Sequence, residues 1–228
     1  MNKEKAKSIA IYSYVVFAIL SFVLVLIIPA TRTKFEYLSS NYAYIMGFIK
    51  FAILATAGEL IASYIISVKK AIPVKIIFRF IIWGLIGVWI TFMMKVFSIA
   101  VVNMMANGML LGGDNNFLRA FYTSVIMNTT FGPTFMAVHK CTDKWLEFLD
   151  KKEKVSLTNI VKGIDWTAFF GFTILKTVPL FWIPAHTVTF LLPSQYQVMM
   201  AAGLSVALGI ILSLSSRKKI KENSDEKL

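Results

Sequence analysis

Six apolar runs constrain this chain more than any other feature, because each is close to the roughly 20 residues a helix needs to cross the ~30 Å hydrocarbon core of a bilayer. They extend from Ile9 to Ile28, Ala43 to Ile66, Ile76 to Val101, Phe117 to Val138, Ile164 to Ile183 and Gln197 to Leu214. Lipid offers no partner to a backbone amide or carbonyl, so a spanning segment must be a helix or part of a closed barrel. These runs are continuous rather than alternating in twos, which excludes the barrel. Composition agrees: 57% of residues are apolar and 16% charged, short of the roughly one quarter that keeps a soluble domain wet. We therefore expect an all-α integral membrane protein. A single bundle of about six transmembrane helices would occupy residues 1–216, with a basic, disordered cytoplasmic tail over 217–228.

The first run follows Lys3, Lys5 and Lys7 and so has the start of a signal peptide. It is too long for the usual apolar region, and no small-x-small site follows, so we read it as a retained helix. Basic residues then set the orientation. Lys3, Lys5 and Lys7 precede the first run; Lys69, Lys70 and Lys75 lie between the second and third, and Arg79, in the first turn of the third, counts with them. Lys140, Lys144, Lys151, Lys152, Lys154 and Lys162 lie between the fourth and fifth, and Arg217, Lys218, Lys219, Lys221 and Lys227 follow the sixth. The alternate loops hold only Arg32 and Lys34, with Arg119 at the edge of one. The positive-inside rule places both ends in the cytoplasm. It also accounts for the net charge of +12 through anionic headgroups rather than nucleic acid. The stretch from Thr142 to Val161 mixes acids with lysines and reads as a short amphipathic helix on the cytoplasmic face.

Charges inside the runs need an explanation, since each costs about 2.5–3.5 kcal/mol at mid-membrane. Glu59 lies deep in the second run. It is either a solute ligand facing a cavity or a structural bridge to a basic residue such as Arg79. Lys50, Lys95, Arg119 and Lys176 all fall in the outer half under this topology. Facing inward together they would form a vestibule for a small anionic solute; alternatively their long stems snorkel to the headgroups. Asn128, Thr129 and Thr130 make a polar step ahead of Gly132-Pro133, where a kink is expected and nearby hydroxyls can compensate the lost hydrogen bond.

Motifs of catalysis and cofactor binding are absent: there is no HExxH, GxSxG, P-loop, GxGxxG or CxxC. His139 is expected at the cytoplasmic end of the fourth helix and His186 in the last outer loop, too far apart to share a metal. The lone Cys141 excludes a disulfide framework. We expect neither an enzyme nor a cofactor.

Several short motifs nonetheless fall in a familiar order. They are Gly58-Glu59, then Arg119 ahead of Gly132-Pro133, then Asp143, then Asp165 at a helix start. Trp182 with Pro184, Thr189-Phe190, Pro193 and finally Leu212-Ser213 complete the order. This order resembles the peroxisomal membrane protein and Mpv-seventeen family of small multi-spanning proteins, over roughly residues 43–216 with gaps. Where that family has Trp-Tyr after Gly-Pro this chain has Val138-His139; for its Asp-Gln it has Asp165-Trp166, and Ile183 splits Trp182 from Pro184. The resemblance implies a small pore or solute conduit; from the charges and polar residues read above, Glu59, Lys50 and Lys176 would line it, with Lys95, Arg119 and Asn128 as further candidates, and Gly132-Pro133 would shape it. Two other readings stay open: the substrate-binding subunit of a modular vitamin transporter, working with partner transporter subunits, and a non-transporting scaffold. Homo-oligomer or hetero-assembly is equally open. Rich use of Lys, Ile and Asn points to a bacterial plasma membrane, or an organelle membrane were the source eukaryotic.

Overall fold

A computed structural model describes residues 3–66 and 76–225, and every element in them is helical. In order these are α1 (Lys3–Ile27), α2 (Pro29–Asn41), α3 (Ala43–Ile66), α4 (Ile76–Ala106), α5 (Asn116–Lys151), α6 (Leu157–Lys162) and α7 (Trp166–Ala168). A π-helix (Phe169–Trp182), α8 (Ile183–Leu191) and α9 (Ser194–Asp225) follow. Among the described residues, five stretches are long and apolar enough to cross a membrane: Ile9–Ile27, Ala43–Ile65, Ile76–Ala106, Trp166–Leu191 and Ser194–Ile211. The other expected run, Phe117 to Val138, is helical within α5 but is not among them, because Arg119, Asn128, Thr129, Thr130 and Pro133 dilute its apolar character. Lys69, Lys70, Lys75 and Lys227, which helped to orient the chain, lie outside the described residues.

The chain divides into two compact units, residues 1–89 with 198–228, and residues 90–197. In the first, α1 packs on α3 through Ile11, Val15, Ala18, Ala57 and Leu60. The Tyr14 hydroxyl adds a bond of 3.2 Å to the Ile53 carbonyl. The segment holding Arg32 and Lys34, expected as a loop, is helix α2. Ile28 is extended, and Pro29 sits in the first turn of α2, where its missing amide costs nothing. Thr31 donates to the Val25 and Ile28 carbonyls, each at 3.0 Å, so the end of α1 is not left bare. Helices α3 and α4 meet closely at small residues. A Cβ at Gly87 would stand 2.3 Å from the Gly47 carbonyl oxygen, and one at Gly84 would meet the Phe48 ring. Without a hydrophobic drive inside lipid, such close approach is what holds helices together.

In the second unit α5 runs against α8 and the π-helix. Asn115 caps α5 by accepting from the Leu118 amide at 3.0 Å, and Lys152, left-handed at φ 55°, ends it. The helix runs 36 residues, without a break at Gly132-Pro133. It therefore takes up Thr142–Lys151, so the expected separate amphipathic helix is instead the end of α5, followed by irregular residues 152–156 and the short α6. Thr129 and Thr130 donate one turn earlier than expected, to Val125 at 2.8 Å and Ile126 at 2.5 Å. They do not reach the Thr129 carbonyl that Pro133 frees.

The π-helix was not expected from the pattern of apolar residues. Pro179 lies inside it. In α geometry the proline ring would crowd the carbonyl four residues back, and the wider π turn relieves that contact. Past it the helix continues, because Pro184 sits in the first turn of α8. His186, expected in an outer loop, is therefore on a helix. Helix α9 likewise continues to Asp225, beyond Arg217, where a disordered tail was expected; residues 226–228 lie outside the described residues.

Candidate functional site

The second unit gathers polar side chains along the contact between α5 and α8. On α5, Thr123, Ser124 and Asn128 are buried; on α8, Thr187 and Thr189 are; Thr177 of the π-helix is too. The i, i+4 spacing of Ser124 and Asn128 puts both on one helix face. The Asn128 side-chain amide donates to the Ser124 carbonyl at 2.8 Å and to the Ser124 hydroxyl at 3.2 Å. That hydroxyl crosses to α8 and donates to the Ile183 carbonyl at 2.7 Å. In return, Asn128 Oδ1 lies 3.1 Å from His186 Nδ1. The threonine hydroxyls are satisfied by their own helices, Thr187 on Ile183 at 2.8 Å and Thr189 on Ala185 at 3.0 Å. Trp182, one turn before His186, holds its indole 5.1 Å from the imidazole, ring centre to ring centre. The result is a hydrogen-bonded polar seam along the contact between α5 and α8.

Only Asn128 among the residues singled out for solute contact lies in this seam. Lys95 on α4, Arg119 on α5 and Lys176 on the π-helix are each exposed within the second unit. On a lipid-facing surface such side chains extend to the headgroups. Lys50 is different: it is 2% exposed, in the first unit. Its ammonium donates to the Ser39 hydroxyl at 2.9 Å and stands 4.5 Å over the Phe35 ring, so it ties α3 to α2.

Glu59 sits on α3 in the first unit and is held on both oxygens. Arg79 of α4 donates to Oε1, and the Trp83 indole donates to Oε2 at 3.0 Å. Both ionic side chains are largely enclosed, at 15% exposure for Arg79 and 23% for Glu59. Of the two roles open to Glu59, this geometry supplies the structural bridge. At its neighbour Gly58, α9 packs close: a Cβ there would be 2.8 Å from Val206 Cγ2.

The remaining motif residues have local tasks. Gly132 is buried inside α5 beside Pro133. Asp165 caps α7, its carboxylate accepting from the Ala168 amide at 2.8 Å. Trp182 is buried and Pro184 exposed, and the Pro193 carbonyl receives the Tyr196 amide at the start of α9. On the polar end of α5, Glu147 accepts from Lys144 at 2.6 Å and Lys151 at 2.7 Å. The Lys144 and then the Lys151 hydrogen bond hold its carboxyl below the usual carboxylate range, and Glu147 in turn raises Lys151.

Sequence reasoning missed His186 and Ser124. The available signal was the pair Pro184 and His186: a proline that opens a helical turn puts a residue two positions later on that helix, not in a loop. No group of three or more metal-ligating side chains gathers among the described residues. No protein-family model, curated protein or solved structure matches this chain.

Proposed function

We propose that this chain is a small conduit for polar solutes in a membrane, with the α5–α8 seam as its working surface. The observation that carries the proposal is the relay from His186 through Asn128 and Ser124 to the Ile183 carbonyl. Polar groups at membrane depth are costly unless paired, and where they occur they characteristically line a route for solutes. The order of short motifs that resembles the Mpv-seventeen family supports the same reading. So does a six-helix arrangement with both ends in the cytoplasm, in which α5 is the fourth crossing and its polar residues from Arg119 to Pro133 keep it from being recognised by hydropathy. Composition favours a bacterial plasma membrane.

The test is flux in proteoliposomes. Purified protein should accelerate entry of small polar solutes over protein-free vesicles, and Asn128→Leu should remove most of that increment while the protein remains helical. Wild-type vesicles indistinguishable from empty ones would refute the conduit. Lys176→Met addresses the anionic branch of the expectation: if Lys176 attracts the solute, chloride or phosphate entry falls, and unchanged entry takes Lys176 out of the route.

A second reading is favoured by Glu59, Arg79 and Trp83, whose mutual pairing is what a structural bridge requires. In it the chain is a membrane scaffold and its internal charges serve packing alone. Glu59→Gln would then lower stability, and wild-type vesicles would carry no flux at all.

A further inference from the structure

The seam fixes more than the position of His186; it fixes which nitrogen of the ring is available. The Asn128 amide group donates to the Ser124 carbonyl and hydroxyl, and both contacts need an N–H on the asparagine side, since a carbonyl oxygen can only accept. Turning the amide over would set Asn128 Oδ1 against the Ser124 carbonyl, two acceptors face to face. Oδ1 therefore points to His186, and the nitrogen 3.1 Å away must be a donor. In its uncharged form the imidazole carries its proton on Nδ1 and presents Nε2 as a bare lone pair. The far end of the relay closes the argument. The Ser124 hydroxyl, accepting from Asn128, has its own proton free and spends it on the Ile183 carbonyl at 2.7 Å.

Nε2 has no hydrogen-bond partner among the described residues. His186 is half-buried, and Trp182 covers one side of the ring at 5.1 Å with an apolar wall. A bare imidazole nitrogen beside an aromatic wall accepts a hydrogen bond from an O–H or N–H, or ligates a metal. The metal would need further ligands, and no group of three gathers among the described residues. An anion gains nothing from a lone pair.

On this basis, and building on the conduit proposed above, we propose that His186 Nε2 is the selectivity contact of the seam, accepting a hydrogen bond from a small uncharged solute that carries O–H or N–H donors. Asn128 is its positioning residue: it touches no solute and holds the ring in the tautomer that exposes the acceptor.

Two amide replacements separate the two ends of the ring. Asparagine is isosteric with the Cβ-to-Nδ1 half, so His186→Asn keeps a donor for Asn128 and deletes the Nε2 acceptor. Glutamine reaches the Nε2 position, so His186→Gln keeps a distal acceptor and loses the donor to Asn128. With glycerol and urea as probes in proteoliposomes, His186→Asn should melt near the wild type but conduct about tenfold less, the factor that one hydrogen bond of about 1.4 kcal/mol represents. His186→Gln should melt lower and retain most conduction. Wild-type conduction in His186→Asn would overturn the proposal. A second measurement does not depend on flux. With 15N-histidine and His139→Asn to leave one ring, the Nε2 resonance should report an unprotonated nitrogen, and it should move when glycerol is added. A protonated Nε2 in the uncharged ring, or a resonance that glycerol does not move, would overturn the selectivity contact even where wild-type flux upholds the conduit. Absence of wild-type flux with a glycerol-sensitive Nε2 would instead retire the conduit and keep the binding site.

Discussion

The interaction between Glu59 and Arg79 can be isolated by a double-mutant cycle, using Glu59→Gln, Arg79→Met and the pair. In the wild type each carboxylate oxygen has its own donor, Arg79 on Oε1 and Trp83 on Oε2 at 3.0 Å. Glutamine keeps one oxygen and replaces the other with an amide group that can only donate. One of the two donors then faces another donor. Hydrogen bonds to charged groups contribute about 1.5–3 kcal/mol net. Removing one partner of a fully buried ion pair costs about 3–5 kcal/mol, whereas exposed pairs are worth about 0–1. With exposures of 15% and 23%, this pair lies between those limits, and we expect about 2 kcal/mol for Glu59→Gln. Arg79→Met should cost a similar amount. In the double variant glutamine can turn its oxygen to Trp83 with no guanidinium left to satisfy, so the two losses should not add. The expected coupling is about 1–2 kcal/mol, above the ~0.6 kcal/mol average for hydrogen bonds between membrane helices. Unfolding in mixed micelles with increasing SDS, followed by tryptophan fluorescence, measures all four corners of the cycle. Additive losses, with coupling below about 0.5 kcal/mol, would refute the bridge. Under the conduit proposal, flux per folded molecule should be unchanged in all three variants, since the seam lies in the other unit.

Gly58→Ala places a Cβ 2.8 Å from Val206 Cγ2 and 2.9 Å from its Cα, and because a backbone atom cannot rotate away it should cost about 1–3 kcal/mol in the same unfolding assay. Gly203→Ala on α9, with nothing within 4 Å of the new methyl, should be neutral or stabilising by up to about 1 kcal/mol. Asp165→Ala removes the cap that receives the Ala168 amide and should cost about 1 kcal/mol, with Asp165→Asn recovering most of it. Glu147 supplies the pH test. Its carboxyl is held below the usual range in the folded protein, so its stabilising effect is present above its unfolded pKa of about 4.3 and is lost as pH falls through the lower folded value. The stability difference between wild type and Glu147→Gln should therefore be constant near neutrality and shrink progressively as pH falls below about 4.3, as melting curves at graded pH would show.

Legibility from sequence followed the reach of each interaction along the chain. Helix α3 runs from Ala43 to Ile66, the same residues as its apolar run, because a hydrocarbon-length segment declares its own ends. The bridge from Glu59 to Arg79 was nameable because the two residues stand on consecutive apolar runs, where a buried acid has few bases to choose from. Hydropathy fails where a helix does not stop at the membrane surface. Helix α5 continues to Lys151 by exchanging apolar residues for the Glu147, Lys144 and Lys151 network, which stabilises a turn without burying it. It fails again at Lys50, which reads as a charge without company until α2 brings Ser39 and Phe35 beside it.

The seam was the hardest part to read, for a reason built into its chemistry. Asn128 and His186 are 58 residues apart, and each alone is a polar residue in an unfavourable place. What turns them into a directed relay is the registration of α8 against α5, and that registration depends on the π-helix. A π segment inserts residues without advancing the helix as an α segment would, so it rotates everything after it. Trp182 ends it, Ile183 and His186 follow it directly, and all three belong to the seam. Replacing Pro179, the residue that makes α geometry crowded there, should therefore disturb His186 and Asn128 at a distance. If Pro179→Ala leaves both the His186 Nε2 resonance and the glycerol flux of the wild type, the register of α8 is set by α5 alone and the π-helix has no part in positioning the site.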